Sequence, residues 1–127
     1  MNKIKALTFD TGGTILDWHS GFRDALKIVG DKYNYKKDWS SLANELRRRS
    51  LKSMLNLGEN EPPQYNFDDA HSFILEELIK ENNLTNFTKE DIQYIAYETV
   101  HNLKCWKDFP STLPKLKKKL IVCSFTI

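Results

Sequence analysis

The sequence has 127 residues, of which 40% are hydrophobic and 12% aromatic, so it has the length of one ordinary domain and enough apolar material for a core. Its 19 basic and 17 acidic residues leave a formal net charge of +2, which argues against nucleic acid or an anionic membrane as a partner. No apolar run reaches the roughly 20 residues that a membrane span needs, and no secretory signal is recognisable, so the sequence predicts a cytoplasmic protein. Cys105 and Cys123 lack metal-ligand spacing and predict neither a metal site nor a disulfide.

The first predicted element is a β-strand at residues 4–9, IKALTF, because a short and nearly continuous apolar run is typical of a buried parallel strand. Apolar residues at helical spacing then predict four helices. These run from Ser20 to about Tyr33, from Asp38 to Leu57, from Phe67 to at least Leu78, and from an N-cap at Thr88 to about Leu103. A loop is predicted at 58–66, where Gly58 would end the second helix.

The last part of the chain returns to strand. FPSTLP at 109–114 predicts a break, KLKKK at 115–119 a short basic helix, and LIVCSF at 120–125 a second buried strand. The fold class is therefore α/β, with a long helical insertion between two strands. Because two strands do not make a stable parallel sheet, we expect either the front part of a longer protein or completion by another chain.

Asp10 ends the first predicted strand, at the edge of the sheet where open parallel α/β folds bind their ligands. Gly12 and Gly13 follow it and would let backbone N–H groups approach a small anion. The alternative is that Asp10 only starts the turn by accepting backbone hydrogen bonds. The glycine pattern matches neither a dinucleotide-binding loop nor a P-loop.

The stretch FDTGGTILDW at 9–18 resembles the first motif of the haloacid dehalogenase superfamily, an apolar strand that ends in a nucleophilic aspartate followed by a Gly-Thr pair. LIVCSF resembles the second motif, a strand that ends in Ser or Thr, here Ser124. The family also inserts a helical cap between these motifs. The resemblance implies a Rossmann-like core, incomplete and present as its N-terminal part, at 1–17 and 107–127, with the helical cap at 18–106.

The superfamily divides at the position two residues after the nucleophile. Its phosphatases have a second aspartate there, which protonates the leaving group and helps to bind magnesium, whereas Gly12 can do neither. The resemblance therefore points to the L-2-haloacid dehalogenases, hydrolases whose halide leaving group needs no proton and which need no metal or other cofactor. Asp10 would displace halide from a short (S)-2-haloacid and form an aspartyl ester that water hydrolyses.

The resemblance also implies roles for the residues around Asp10. Thr14 would hold the nucleophile, and Ser124 would donate a hydrogen bond near it. Thr11 and Gly12 would offer backbone donors to the substrate, and Phe125 would be a further substrate contact.

Arg47 is expected to bind the substrate carboxylate, because ELRRRSL is similar to the early cap helix in which the dehalogenases carry such an arginine. Its neighbours at helical spacing are apolar, whereas Arg48 and Arg49 have polar neighbours. The alternative is that Arg47 only covers the edge of the core.

Two further residues are interpreted as packing residues. His71 is predicted to be a core histidine, and Trp106 an aromatic residue at the return from cap to core.

The sequence departs from the family in three respects. Phe125 and Thr126 follow Ser124 where Asn and Gly are usual, Leu46 replaces a tryptophan, and the family's lysine and final acidic motif would lie beyond Ile127. Two alternative functions remain, a magnesium-dependent phosphatase of the same fold and a non-catalytic chain that acts by protein interaction. The expected partner is a small-molecule haloacid rather than nucleic acid or a membrane, and assembly as a homodimer is left open.

Overall fold

The computed structural model describes residues 4–55 and 63–125. The strands are β1 (Ala6–Phe9) and β2 (Ile121–Ser124), and the helices are α1 (Trp18–Lys32), α2 (Trp39–Leu55), α3 (Phe67–Glu81), α4 (Lys89–Gln93), a π-helical segment (Tyr94–Glu98), α5 (Thr99–His101) and α6 (Phe109–Lys117). The predicted helix end at Leu57, the helix stop at Gly58 and most of the predicted loop 58–66 lie outside the described residues, as does Thr126.

The chain divides into two compact units. One contains the residues up to Trp18 together with those from Leu103 onward, and the other is His19–Asn102. Residues 103–106, within the range predicted for the helical cap, are grouped with the unit that contains the strands, where they contact the turn after β1. The backbone explains this difference, because Lys104 O accepts a hydrogen bond from Asp17 N at 2.8 Å and Trp106 N donates to Ile15 O at 2.9 Å.

The strands β1 and β2 pair in parallel, with Ala6 opposite Ile121 and Phe9 opposite Ser124. This pairing of the two ends of the chain confirms the predicted α/β class. Helix α6 packs against β2, and the ring of Phe109 meets that of Phe9 edge to face, with the centroids 6.0 Å apart. The side chains on one face of the pair are exposed in both strands, namely Ala6 and Thr8 in β1 and Ile121 and Cys123 in β2. One face of the two-stranded sheet is therefore covered and the other is open.

The predicted break at 109–114 is wrong, because α6 begins at Phe109 and continues through both prolines to Lys117. Pro110 lies in the first turn, where a missing backbone N–H removes no intrahelical hydrogen bond. The bond from Thr112 N to Asp108 O, at 3.1 Å, begins the helical ladder. Pro114 lies inside the helix and leaves one acceptor of that ladder unused.

The helical unit has a continuous apolar core in which α2 and α3 make the largest contact between helices. Its most deeply buried large apolar side chains are Phe22, Leu26, Leu46, Leu75, Leu84 and Ile95. The predicted cap at Thr88 is confirmed, since Thr88 and Asp91 form a reciprocal capping box. None of the described helices is both long and apolar enough to cross a membrane.

Candidate active site

Asp10 directly follows β1 and lies beside the end of β2. The register pairs Phe9 with Ser124, and Phe125 N donates to Phe9 O at 2.7 Å. Parallel strands bring their carboxyl ends to the same edge of a sheet, so the predicted nucleophile and the predicted serine are carried by neighbouring strand ends. An apolar cleft of about 230 Å³ in this unit is lined in part by Phe9 and Ser124.

The turn after Asp10 is compact and held by its own backbone. Ile15 N and Leu16 N both donate to Thr11 O at 3.0 Å, and Gly13 N donates to Leu16 O at 2.9 Å. This folding brings Thr14 back over the nucleophile, so that Thr14 Oγ1 donates to Asp10 Oδ2 at 2.9 Å. The contact predicted between these two side chains is present.

Gly13 is required in this turn for two independent reasons. Its φ of +100° is a backbone conformation that side chains rarely allow. A Cβ at this position would also lie 2.9 Å from Trp18 Nε1, closer than such atoms normally approach. Gly12, two residues after Asp10, offers no side chain to protonate a leaving group or bind a metal ion.

Trp106, which the sequence analysis interpreted as a packing residue at the return from cap to core, makes a specific hydrogen bond in this site. Its indole Nε1–H donates to Gly13 O at 2.9 Å, and the side chain is 42% exposed. The two residues are 93 positions apart, and no local pattern could have joined them. Leu16 and Cys105 form an antiparallel bridge next to this contact, which extends the pairing of the turn with the returning chain.

In the helical unit, Arg47 lies half-buried on α2, with its guanidinium carbon 5.5 Å from the centroid of the Phe67 ring on α3. Arg48 is exposed and pairs with Glu45 on its own helix at 2.6 Å. Arg49, predicted to have polar neighbours on the helix, has a side chain that is 25% exposed and a guanidinium that forms a two-point contact with Glu81 on α3. Arg49 therefore links two helices, whereas Arg47 stacks on an aromatic ring.

His71 is buried on α3, as the core interpretation predicted, and is 2% exposed. Its ring lies against Phe22 and Phe67, with centroids 5.1 and 5.7 Å away. Neither ring nitrogen has a hydrogen-bond partner within the described parts of the chain. Burial lowers the pKa of His71 to about 4, and the nearby charge of Arg47 acts in the same direction.

The predicted site residues thus fall into two groups. Six of them, at the ends of the strands and in the first turn, belong to the unit that contains the sheet: Asp10, Thr11, Gly12, Thr14, Ser124 and Phe125. Arg47 belongs to the helical unit. Within residues 4–55 and 63–125, no three His, Cys, Asp or Glu side chains are grouped closely enough to hold a metal ion.

No protein-family model and no curated protein matches the sequence. Solved structures do match it. The chain is similar to the defluorinating L-2-haloacid dehalogenase Rha0230, with a TM-score of 0.82 and 24% identity, over 98% of this chain and 51% of that protein. For the L-2-haloacid dehalogenase PA0810 the TM-score is 0.78 and the identity 22%, over 98% of this chain and 52% of that protein. The chain spans about half the length of the structures it matches, and over that length it has the α/β fold of the L-2-haloacid dehalogenases.

Proposed function

We propose that this chain carries the nucleophile of a hydrolase of the haloacid dehalogenase type, which acts on a short (S)-2-haloacid. The observation that supports this most is the geometry of the first turn. Asp10 stands at the carboxyl end of a parallel strand, Thr14 donates to one of its carboxylate oxygens, and glycine follows two residues later. A carboxylate so placed, with no acid at position 12, suits displacement of a leaving group that needs no proton.

In the proposed reaction, an oxygen of the Asp10 carboxylate attacks C2 of the haloacid from the side opposite the halogen. The carbon–halogen bond breaks, and halide leaves with the bonding electron pair. Water then attacks the carbonyl carbon of the aspartyl ester, which releases a 2-hydroxyacid and a proton and restores the Asp10 carboxylate. Overall, water and the haloacid give the hydroxyacid, halide and a proton.

The other residues have proposed roles in binding and orientation. Thr14 restricts rotation of the Asp10 carboxylate, and Ser124 donates a hydrogen bond at the neighbouring strand end. Backbone N–H groups of Thr11 and Gly12 are donors for the substrate, and Phe125 is an apolar contact. Arg47 binds the substrate carboxylate through its planar guanidinium.

The test is a single-turnover reaction of the protein with (S)-2-chloropropionate in water enriched in the heavy oxygen isotope. If the ester forms and is hydrolysed at its carbonyl carbon, the heavy isotope enters the Asp10 side chain, which peptide mass spectrometry locates. Direct attack of water on the substrate would place it in the hydroxyacid instead. Asp10→Asn should abolish chloride release, whereas Asp108→Asn, an exposed carboxylate of the same unit, should not change it. The proposal would be refuted if no heavy isotope entered Asp10, or if the protein hydrolysed phosphate esters in a reaction that requires magnesium.

A further inference from the structure

Trp106 holds the turn after Asp10 in two ways. Its backbone N–H donates to Ile15 O, and its indole N–H donates to Gly13 O, each at 2.9 Å. The side chain is 42% exposed, so burial of its apolar surface is incomplete and the hydrogen bond is the specific part of its contact. Both acceptors belong to the segment that leads away from the candidate nucleophile.

The hydrogen bond from the Trp106 indole to Gly13 O controls the position of Thr14. The carbonyl of Gly13 and the N–H of Thr14 belong to one planar peptide group, so a fixed carbonyl direction fixes the start of Thr14. Gly13 has a φ of +100° and no side chain to restrict its backbone, so the peptide that follows it can rotate readily. The indole hydrogen bond opposes that rotation. Thr14 Oγ1 in turn donates to Asp10 Oδ2 at 2.9 Å.

We propose that Trp106 is a positioning residue for Asp10. The hydrogen bond from its indole N–H to Gly13 O locks the Gly13–Thr14 peptide, so that the Thr14 hydroxyl stays on Oδ2 of Asp10 and Oδ1 is presented for attack. Trp106 itself touches neither the carboxylate nor the substrate. This inference rests on the proposed function, to which it adds a residue from the far end of the sequence.

The variant Trp106→Phe keeps an aromatic ring and removes the donor. Replacement of Trp106 by 3-benzothienylalanine is closer still, because sulfur takes the place of N–H in a ring system of the same shape. Tyr97→Phe is the matched control, since Tyr97 is also 42% exposed, lies in the helical unit and loses one polar hydrogen. Because the ring remains, the melting temperatures of all three variants should stay close to that of the wild type.

Two measurements decide the proposal. Amide exchange at Gly13 and Leu16 should accelerate roughly three- to tenfold in both Trp106 variants, the factor expected for the loss of one neutral hydrogen bond. The maximal single-turnover rate of Asp10 labelling should fall roughly ten- to a hundredfold, with an unchanged half-saturating concentration of (S)-2-chloropropionate, because a displaced nucleophile loses rate rather than binding. Tyr97→Phe should change neither quantity.

Unchanged amide exchange in the Trp106 variants would overturn the proposal, as would a loss that appears in substrate binding rather than in rate. If the wild-type protein itself shows no labelling of Asp10, the proposed function fails. In that case the exchange data and the NMR signals of the Thr14 side chain still decide whether Trp106 positions the turn. Loss of the hydrogen bond from the Thr14 hydroxyl to Asp10 should shift those signals in the Trp106 variants and not in Tyr97→Phe.

Discussion

At the scale of single residues, His71 makes the clearest prediction, because its environment favours the neutral imidazole. Burial lowers its pKa to about 4, and the positive charge of Arg47 contributes to this more than the carboxylate of Asp68 opposes it. The pKa of a histidine in an unfolded chain is about 6.5. Between these two values the unfolded chain binds a proton that the folded chain does not, so stability falls as the pH falls. The expected loss between pH 7 and 4 is roughly 3 kcal/mol.

The measurement is the free energy of unfolding by urea at several pH values between 7 and 4.5. His71→Phe should remove most of the decline, because the phenyl ring binds no proton in either state. His101→Phe is the control, since His101 is exposed and its ring Nε2 pairs with the Asp68 carboxylate, which accepts the hydrogen bond at 3.1 Å. It should retain the decline. Equal pH dependence of the two variants would show that His71 is not its source.

The arginines of α2 allow a second comparison at the residue scale. If Arg47 binds the substrate carboxylate, Arg47→Lys keeps the charge but loses the planar fork, and the rate of Asp10 labelling at low substrate should fall by a factor on the order of ten to a thousand. Arg48→Lys should leave this rate unchanged, because the Arg48 side chain is 62% exposed and pairs with Glu45. Equal rates for the two variants would show that Arg47 does not bind the substrate carboxylate and only packs on the Phe67 ring.

At the scale of elements, Asp91 connects the start of α4 to the end of α1. Its carboxylate accepts hydrogen bonds from Thr88 N at 3.0 Å, from Tyr33 Oη at 2.7 Å and from Lys32 Nζ at 3.1 Å. Burial raises the pKa of Asp91, but these hydrogen bonds outweigh it, so the pKa is lowered overall. One side chain thus caps one helix and anchors another.

Tyr33→Phe should therefore destabilise the helical unit by about 1.5 to 3 kcal/mol, the usual effect of removing a hydrogen bond to a charged group. Tyr35→Phe is a matched control, because both tyrosine rings lie about equally far from the Phe87 ring, at 6.0 and 6.1 Å. Tyr35 Oη only accepts a longer bond from Asn86 N, at 3.3 Å. Urea unfolding of both variants measures the difference, and equal losses would contradict the stabilising role of Asp91.

The elements also show what the sequence can predict. The cap at Thr88 was predictable because its partner Asp91 lies only three residues later, whereas the contact between Thr14 and Asp10 was expected from the resemblance to the first haloacid dehalogenase motif. The π-helical segment Tyr94–Glu98 was not predictable, because helical periodicity does not reveal where a backbone hydrogen bond spans five residues, here from Thr99 N to Tyr94 O. Contacts of Trp106 with the first turn depend on chain segments 93 residues apart, and no local pattern encodes them.

At the scale of the whole molecule, the open face of the sheet is the main feature. Ile4, just before β1, is 73% exposed, Ile121 is 68% exposed, and Phe125, just after β2, is 77% exposed. Side chains alternate between the two faces of a strand, and the face that carries Leu7, Phe9 and Val122 is the one less open to solvent. Parallel sheets normally bury both faces, whereas here the apolar side chains of one face are exposed to water.

We therefore expect the protein on its own to associate in a concentration-dependent way through this face. Ile121→Lys should weaken the association, because a charged side chain opposes both apolar contact and strand pairing at an exposed edge. Ile28→Lys is the matched control, since Ile28 is 59% exposed on α1 in the helical unit and the change is chemically the same. Sedimentation velocity over a range of protein concentrations measures the effect. If the wild type is a monodisperse monomer that unfolds cooperatively on heating, or if Ile28→Lys disperses the assemblies as well as Ile121→Lys does, the open sheet face is not the surface that associates.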